Sequence, residues 1–129
     1  MPTAAPRVLV ADDEDDIRAL VGLAVRRAGC TVATQVADGT QALIAARTDP
    51  PDLAVLDVSM PGATGLEVCT ALRADPATAA VPVLLLSAGA TPEDVARGLA
   101  AGADAYLAKP FSVAGLVARV RELTAGATP

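Results

Sequence analysis

Histidine is absent from this 129-residue chain, which rules out more chemistry than any single residue present supplies. Without imidazole there is no Ser-His-Asp or Cys-His nucleophile, no histidine-ligated metal and no phosphohistidine carried by the chain itself. Tryptophan is also missing and aromatics make up only 2% of residues, so any core must be aliphatic. Disorder is excluded, since 53% of residues are hydrophobic and the mean hydropathy is +0.46. The two cysteines, Cys30 and Cys69, are far apart and each sits among aliphatic neighbours, a pattern of buried free thiols rather than a disulfide. That points to a reducing, cytoplasmic setting. No run approaches the roughly 18 apolar residues of a membrane span, and Met1 to Pro6 lacks the apolar core of a signal peptide. Basic residues are outnumbered 10 to 15, giving a net charge of −5 and a pI near 4.5. Such a surface disfavours direct binding to nucleic acid or to an anionic membrane. Phosphate or proton chemistry is left to carboxylates, hydroxyls, lysine and backbone.

Five short aliphatic runs alternate with amphipathic stretches. The runs are Val8–Ala11, Thr31–Val36, Leu53–Leu56, Val83–Leu86 and a weaker Ala105–Ala108. The third and fourth are apolar on both faces, as strands are when helices cover both sides of a parallel sheet. Between the first two runs, Ile17, Leu20, Val21, Ala24, Val25 and Ala28 form one stripe of a helix predicted over Asp16–Ala28, with Gly29 as its stop. Asp38–Gln41 and Thr64–Glu67 have capping-box spacing. Thr91-Pro92-Glu93-Asp94 supplies a cap, a first-turn proline and acids on the positive end of the helix dipole. Ser112 can cap a final helix carrying Val113, Leu116, Val117, Val120 and Leu123 inward. Fivefold strand–helix alternation predicts an α/β fold, a doubly wound parallel sheet of five strands and five helices. Residues 7–125 form this domain, with 1–6 a tail and 126–129 a tail or linker stub. Ligands of such sheets bind beyond the carboxyl ends of the strands.

At those ends the sequence places charge. The first strand runs into Asp12-Asp13-Glu14-Asp15-Asp16. Helix capping accounts for Glu14 to Asp16, whereas Asp12 and Asp13 fall at the strand tip and suit cation ligation. The third strand ends at Asp57, before Val58-Ser59-Met60-Pro61-Gly62. Three carboxylates on neighbouring tips cannot all stay ionised and close without a compensating cation. Oxygen-only ligands suit Mg²⁺, and zinc is disfavoured. The fourth strand ends at Ser87, followed by the small Ala88 and Gly89. The fifth ends at Lys109-Pro110-Phe111, where Lys109 faces the acids as an ion-pair partner able to bind phosphate as a point charge. Either isomer of the Lys109–Pro110 bond is open at this level.

Four fragments carry a resemblance: Val8–Asp13, Asp57–Gly62 with Gly65, Leu86-Ser87-Ala88, and Gly102–Phe111. In this order, each at a strand end, they resemble the response-regulator receiver domains of two-component signalling, chemotaxis-regulator-like and flavodoxin-like in fold, over roughly residues 7–124. The resemblance implies that Asp57 is the phosphoacceptor, attacking the phosphoryl group of a histidine kinase, a phosphotransfer protein of a phosphorelay, or a small donor. It implies Mg²⁺ held by Asp13 and Asp57 with the Ser59 backbone carbonyl, Asp12 acting directly or through water. Lys109 and Ser87 would bind phosphoryl oxygens, and Ser87 with Tyr106 would form a switch. Output would pass through the face near Arg97, Tyr106 and Arg119 to a downstream protein target or fused effector domain. The chain would catalyse only its own phosphoryl transfer and dephosphorylation, not the turnover of a metabolite.

Two departures stand out. In the winged-helix subfamily a charged ladder, including an acid before the switch tyrosine and a Glu in the last helix, supports dimerisation; here those positions are Ala105 and Gly115, though Asp104 and Arg119 are present. Ser59 and Gly89 occupy positions that tune dephosphorylation in the family. Three rival readings make contrary predictions. A nucleotide- or flavin-binding domain needs a glycine- or hydroxyl-rich first loop, and Asp12–Asp16 would instead repel phosphate. A haloacid-dehalogenase-type phosphatase carries an acid two residues after its nucleophile, where Ser59 stands. A degenerate receiver acting only as a docking module would have lost part of the set present here.

Overall fold

In the computed structural model, which describes residues 4–125, the five aliphatic runs are five strands of one parallel sheet. They are β1 (Arg7–Ala11), β2 (Thr31–Val36), β3 (Leu53–Asp57), β4 (Val83–Ser87) and β5 (Ala105–Ala108). The helices are α1 (Asp15–Arg27), α2 (Gly39–Thr48), α3 (Gly65–Ala74), α4 (Pro92–Ala100) and α5 (Val113–Thr124). The strand order is β2-β1-β3-β4-β5, the doubly wound arrangement predicted from the alternation. Residues 1–3 of the predicted first tail and the whole of the second, 126–129, lie outside the described residues.

Alternation along each strand sorts the core into two layers. Leu9, Ala54, Leu56, Val83 and Leu85 point to one side with Val68 and Leu72 of α3 and Ala42 and Ala46 of α2. Val8, Val10, Leu53, Val55, Leu84 and Leu86 point to the other, against Val21 and Val25 of α1 and Leu116 and Val120 of α5. Every residue of β3 and β4 is buried, and each fully buried Val or Leu contributes about 1.5–3 kcal/mol relative to exposure. Cys30 and Cys69 are both free and buried, in opposite layers. Among the described residues no helix is long and apolar enough to cross a membrane.

Helix ends follow the capping chemistry with two adjustments. Thr64 and Thr91 form reciprocal capping boxes with Glu67 and Asp94, and Ser112 accepts from the Gly115 amide. Asp38 accepts from the Gln41 amide, which is one half of the predicted box. Helix α1 begins one residue earlier than predicted and ends at Arg27, with Ala28 as its C-cap. Gly29 at φ +85° donates to the Arg26 carbonyl while Cys30 donates to that of Val25, the paired bonds of a Schellman ending. Gly65 matters for the site: a β-carbon there would lie 2.4 Å from the Asp57 carbonyl oxygen. Only glycine lets α3 start so close to the tip of β3.

Candidate functional site

Register brings the acids together. Ala11 of β1 pairs with Leu56 of β3, so the next residues, Asp12 and Asp57, leave the sheet as neighbours. On the far side Ser87 of β4 pairs with Ala108 of β5, and the Lys109 amide donates to the Ser87 carbonyl at 2.8 Å. That pairing leaves Lys109, whose bond to Pro110 is cis, facing the two acids across the tips. Its Nζ lies 3.1 Å from Asp12 Oδ2, 3.2 Å from Glu14 Oε1 and 3.4 Å from Asp57 Oδ1.

Two of those carboxylates are sealed from water, Asp12 at 0% and Asp57 at 3% exposure. Each spends one oxygen on the loop that follows it. Asp12 Oδ1 accepts from the Glu14 amide at 2.9 Å, and Asp57 Oδ1 from the Ser59 amide at 3.3 Å. Asp12 Oδ2 has no hydrogen-bond partner; what it has is the Lys109 ammonium at 3.1 Å as an ion pair. A buried carboxylate oxygen without a partner is costly. Burial, followed by the neighbouring Asp12 charge, raises the Asp57 pKa from 3.8 to about 6, against the opposing pull of Lys109 and the Ser59 amide. Burial works against the Lys109 ammonium too, yet Asp12, Asp57 and Glu14 outweigh it and raise its pKa above the usual lysine value.

Oxygen atoms of Asp12, Asp13, Glu14 and Asp57 all lie within 4.8 Å of one another. Four carboxylates against one ammonium leave an uncompensated negative charge. The donors are all oxygens, with the chain lacking histidine and its cysteines buried in the core. The orphaned Asp12 Oδ2 and this hard donor set fit a divalent cation such as Mg²⁺. An open cleft of about 330 Å³ lies above them, lined by Asp13, Glu14, Asp57, Ser59, Ala88 and Lys109.

Asp13 is exposed at the rim, Ser59 lines the cleft through its loop, and Ser87 is buried with its Oγ accepting from the Gly89 amide at 3.0 Å. Tyr106 lies outside the charged cluster. Its hydroxyl donates to the Gly89 carbonyl, and its ring packs on Gly98, where a β-carbon would come within 2.8 Å of Cδ2. Ser87 and Tyr106 thus meet the same residue, Gly89, from opposite sides. Arg97 pairs with Asp94 and Arg119 with Glu122, each within its own helix.

Glu14 corrects the sequence reading. Capping accounted for it there, yet at the N-cap of α1 its side chain makes no capping bond and reaches Lys109 instead. It replaces Asp13 as the third acid at the ammonium. A run of five acids gives no signal that separates this one, because the contact spans 95 residues.

The comparisons agree with this geometry. The family model described as "Response regulator receiver domain" matches residues 8–121. The transcriptional regulatory protein PrrA of Mycobacterium tuberculosis is 50% identical over 119 residues, covering 92% of this chain and 50% of that protein. The DNA-binding response regulator MtrA of the same species is 44% identical over 121 residues, 94% of this chain and 51% of that protein. The chain therefore spans about half the length of the curated relatives it matches. Among solved structures, the signal receiver domain of the putative response regulator NarL from M. tuberculosis superposes with a TM-score of 0.86 at 32% identity, covering 95% of this chain and 98% of the other. The chemotaxis response regulator CheY4 of Vibrio cholerae gives 0.86 at 34% identity, covering 93% and 99%. With its sheet order, its matched span and its relatives in accord, this chain belongs to the response regulator receiver domain family of two-component signalling.

Proposed function

We propose that residues 7–125 act as a phosphorylation-driven switch in which Asp57 is the phosphoacceptor. The observation that carries this reading is the pairing of two buried carboxylates, Asp12 and Asp57, against one lysine at adjoining strand tips. Asp57 Oδ attacks phosphorus, and the bond from phosphorus to the donor's imidazole nitrogen breaks with its electron pair leaving on that nitrogen. An acyl phosphate results. The chain has no histidine, so the phosphohistidine belongs to a kinase or phosphotransfer partner.

Asp12, Asp13, Asp57 and the Ser59 backbone carbonyl would hold Mg²⁺, which when bound offsets carboxylate charge and stabilises the phosphoryl oxygens. Lys109 meets one phosphoryl oxygen with its ammonium. Ser87 already accepts from the Gly89 amide, so its own hydroxyl proton is free to donate to another. Ala88, a methyl group at the cleft wall, leaves the approach open. Positioning and electrostatics of this kind supply most of the acceleration in phosphoryl transfer. Catalysis is confined to the chain's own phosphorylation and dephosphorylation.

Phosphorylation exchanges one negative charge for about two and adds acceptor oxygens. Drawing Ser87 toward them releases the Gly89 amide, whose residue also holds the Tyr106 hydroxyl through its carbonyl. Output then passes through the α4–β5–α5 face near Arg97, Tyr106 and Arg119 to a protein target or an attached effector domain. The charged ladder for dimerisation through this face would be incomplete, since Ala105 and Gly115 stand where it needs acids.

Acetyl phosphate with Mg²⁺, followed by intact mass, tests the core of this reading. A gain of one phosphoryl group is expected, lost with EDTA and in Asp57→Asn. A mass gain persisting in Asp57→Asn would overturn the acceptor assignment. Beryllofluoride is expected to move NMR signals around Tyr106; an unmoved Tyr106 sinks only the switch.

A further inference from the structure

We infer that Glu14 is a positioning residue that screens donors: its carboxylate holds the place on the Lys109 ammonium that an incoming phosphoryl oxygen takes. This rests on the assignment of Asp57 as phosphoacceptor.

Three features of Glu14 lead there. Its backbone is in the N-cap conformation of α1 (φ −89°, ψ 118°), yet its side chain makes no cap bond, so local helix chemistry does not account for its direction. It spans instead from the loop after β1 to the loop after β5, ending 3.2 Å from Lys109 Nζ. Of the three carboxylates at that ammonium it alone is wet, with its side chain 62% exposed against 0% for Asp12 and 5% for Asp57.

That difference decides which pair breaks. Asp12 Oδ2 is buried and has no hydrogen-bond partner, so stripping Lys109 from it would leave a bare charge in a dry site. Glu14 loses little, because water replaces the lysine. An arriving phosphoryl oxygen therefore displaces Glu14 and leaves Lys109 over Asp12 and Asp57.

Until it moves, Glu14 puts a negative charge on the wall of the cleft through which the donor enters. A free acyl phosphate is an anion with little else to hold it, and it meets this repulsion uncompensated. A phosphohistidine delivered by a docked protein brings binding energy from a remote surface, which can offset the displacement. Glu14 thus favours protein-borne donors over small anionic ones.

The test compares wild type, Glu14→Gln and Glu93→Gln with acetyl phosphate and Mg²⁺, following intact mass across a salt series. In the transfer, the Asp57 Oδ–P bond forms while the P–O bond to acetyl breaks, its electron pair leaving with acetate. Glu14→Gln is expected to label about fivefold faster than wild type at low salt, with a flatter salt dependence. The acceleration should persist at saturating Mg²⁺, where a change in cation affinity no longer limits the rate, and Glu93→Gln, which removes an exposed charge on α4, should match wild type. Equal rates for Glu14→Gln and wild type would overturn the inference. So would slower labelling with weaker Mg²⁺ binding, which makes Glu14 a cation ligand, or equal acceleration in Glu93→Gln, which makes net charge the cause. If wild type takes up no label, or Asp57→Asn takes it up, the acceptor assignment itself has failed and the inference falls with it.

Discussion

The two ends of the sheet handle charge in opposite ways. At the amino end of β4 and β5, the single guanidinium of Arg73 donates to the carbonyls of Gly102, Ala79 and Val81 and to Asp104. Asp104 Oδ2 also accepts from the Val83 amide at 2.8 Å. Cation and anion there are paired with each other and with the backbone. At the carboxyl end, four carboxylates cluster with only three of them at the one ammonium, and a buried oxygen goes without a hydrogen bond. One end is satisfied and serves as scaffold. The other carries an excess of negative charge that a cation can relieve, and such unmet charge is what marks a functional rim.

Removing the Arg73 clasp gives the largest expected change. Arg73→Ala leaves three carbonyls without that donor and Asp104 without its cation, and should destabilise the fold by about 3 kcal/mol, read as a lower urea midpoint. The loss should be the same with and without Mg²⁺. A midpoint deficit that Mg²⁺ erased would break the contrast between the two ends.

Asp57→Asn should do the reverse. With a folded-state pKa near 6 against 3.8, native Asp57 binds a proton that the unfolded chain has already released between those values. Stability therefore falls as pH rises through roughly 4 to 6, and the full loss is present at pH 7. In EDTA, Asp57→Asn should be up to about 3 kcal/mol more stable than wild type at pH 7, the advantage fading as pH drops from 6 toward 4. Urea melts at pH 7 and pH 4 check both sign and window. A pH-independent difference would mean the rim is not under charge strain.

The smallest effect sharpens the same point. Mg²⁺ at about ten times its dissociation constant should stabilise wild type by about 1.4 kcal/mol, measurable as a shift in thermal midpoint. Asp57→Asn should lose most of that shift and Arg73→Ala should keep it.

Much of this was legible in the sequence. Aliphatic runs fixed the strands because β3 and β4, covered on both faces, tolerate nothing polar before their tips. Thr64, Thr91 and Ser112 marked helix starts because capping is a local interaction within four residues. The tips also announced Asp12, Asp57, Ser87 and Lys109, since a charged or hydroxyl residue directly after an apolar run has few places to go. What escaped was set by distance across the fold. Glu14 looked like its acidic neighbours until the β5 loop brought Lys109 to it. Arg73 read as one more basic residue near a helix end, and nothing in α3 foretells three carbonyl acceptors supplied by two separate loops. The cis Lys109–Pro110 bond was equally invisible, both isomers being compatible with the same residues.

The strand order has a further consequence. Because β1, β3, β4 and β5 lie side by side while their connecting helices lie elsewhere, each strand tip donates one or two groups and no contiguous peptide owns the chemistry. A proteolytic fragment ending between Ser87 and Lys109 would keep the acids but lose their counter-charge. One starting after Asp13 would keep Asp57 without its buried companion, Asp12. The charged rim is a property of the assembled sheet and should vanish in a single step when the chain is cut and the pieces part.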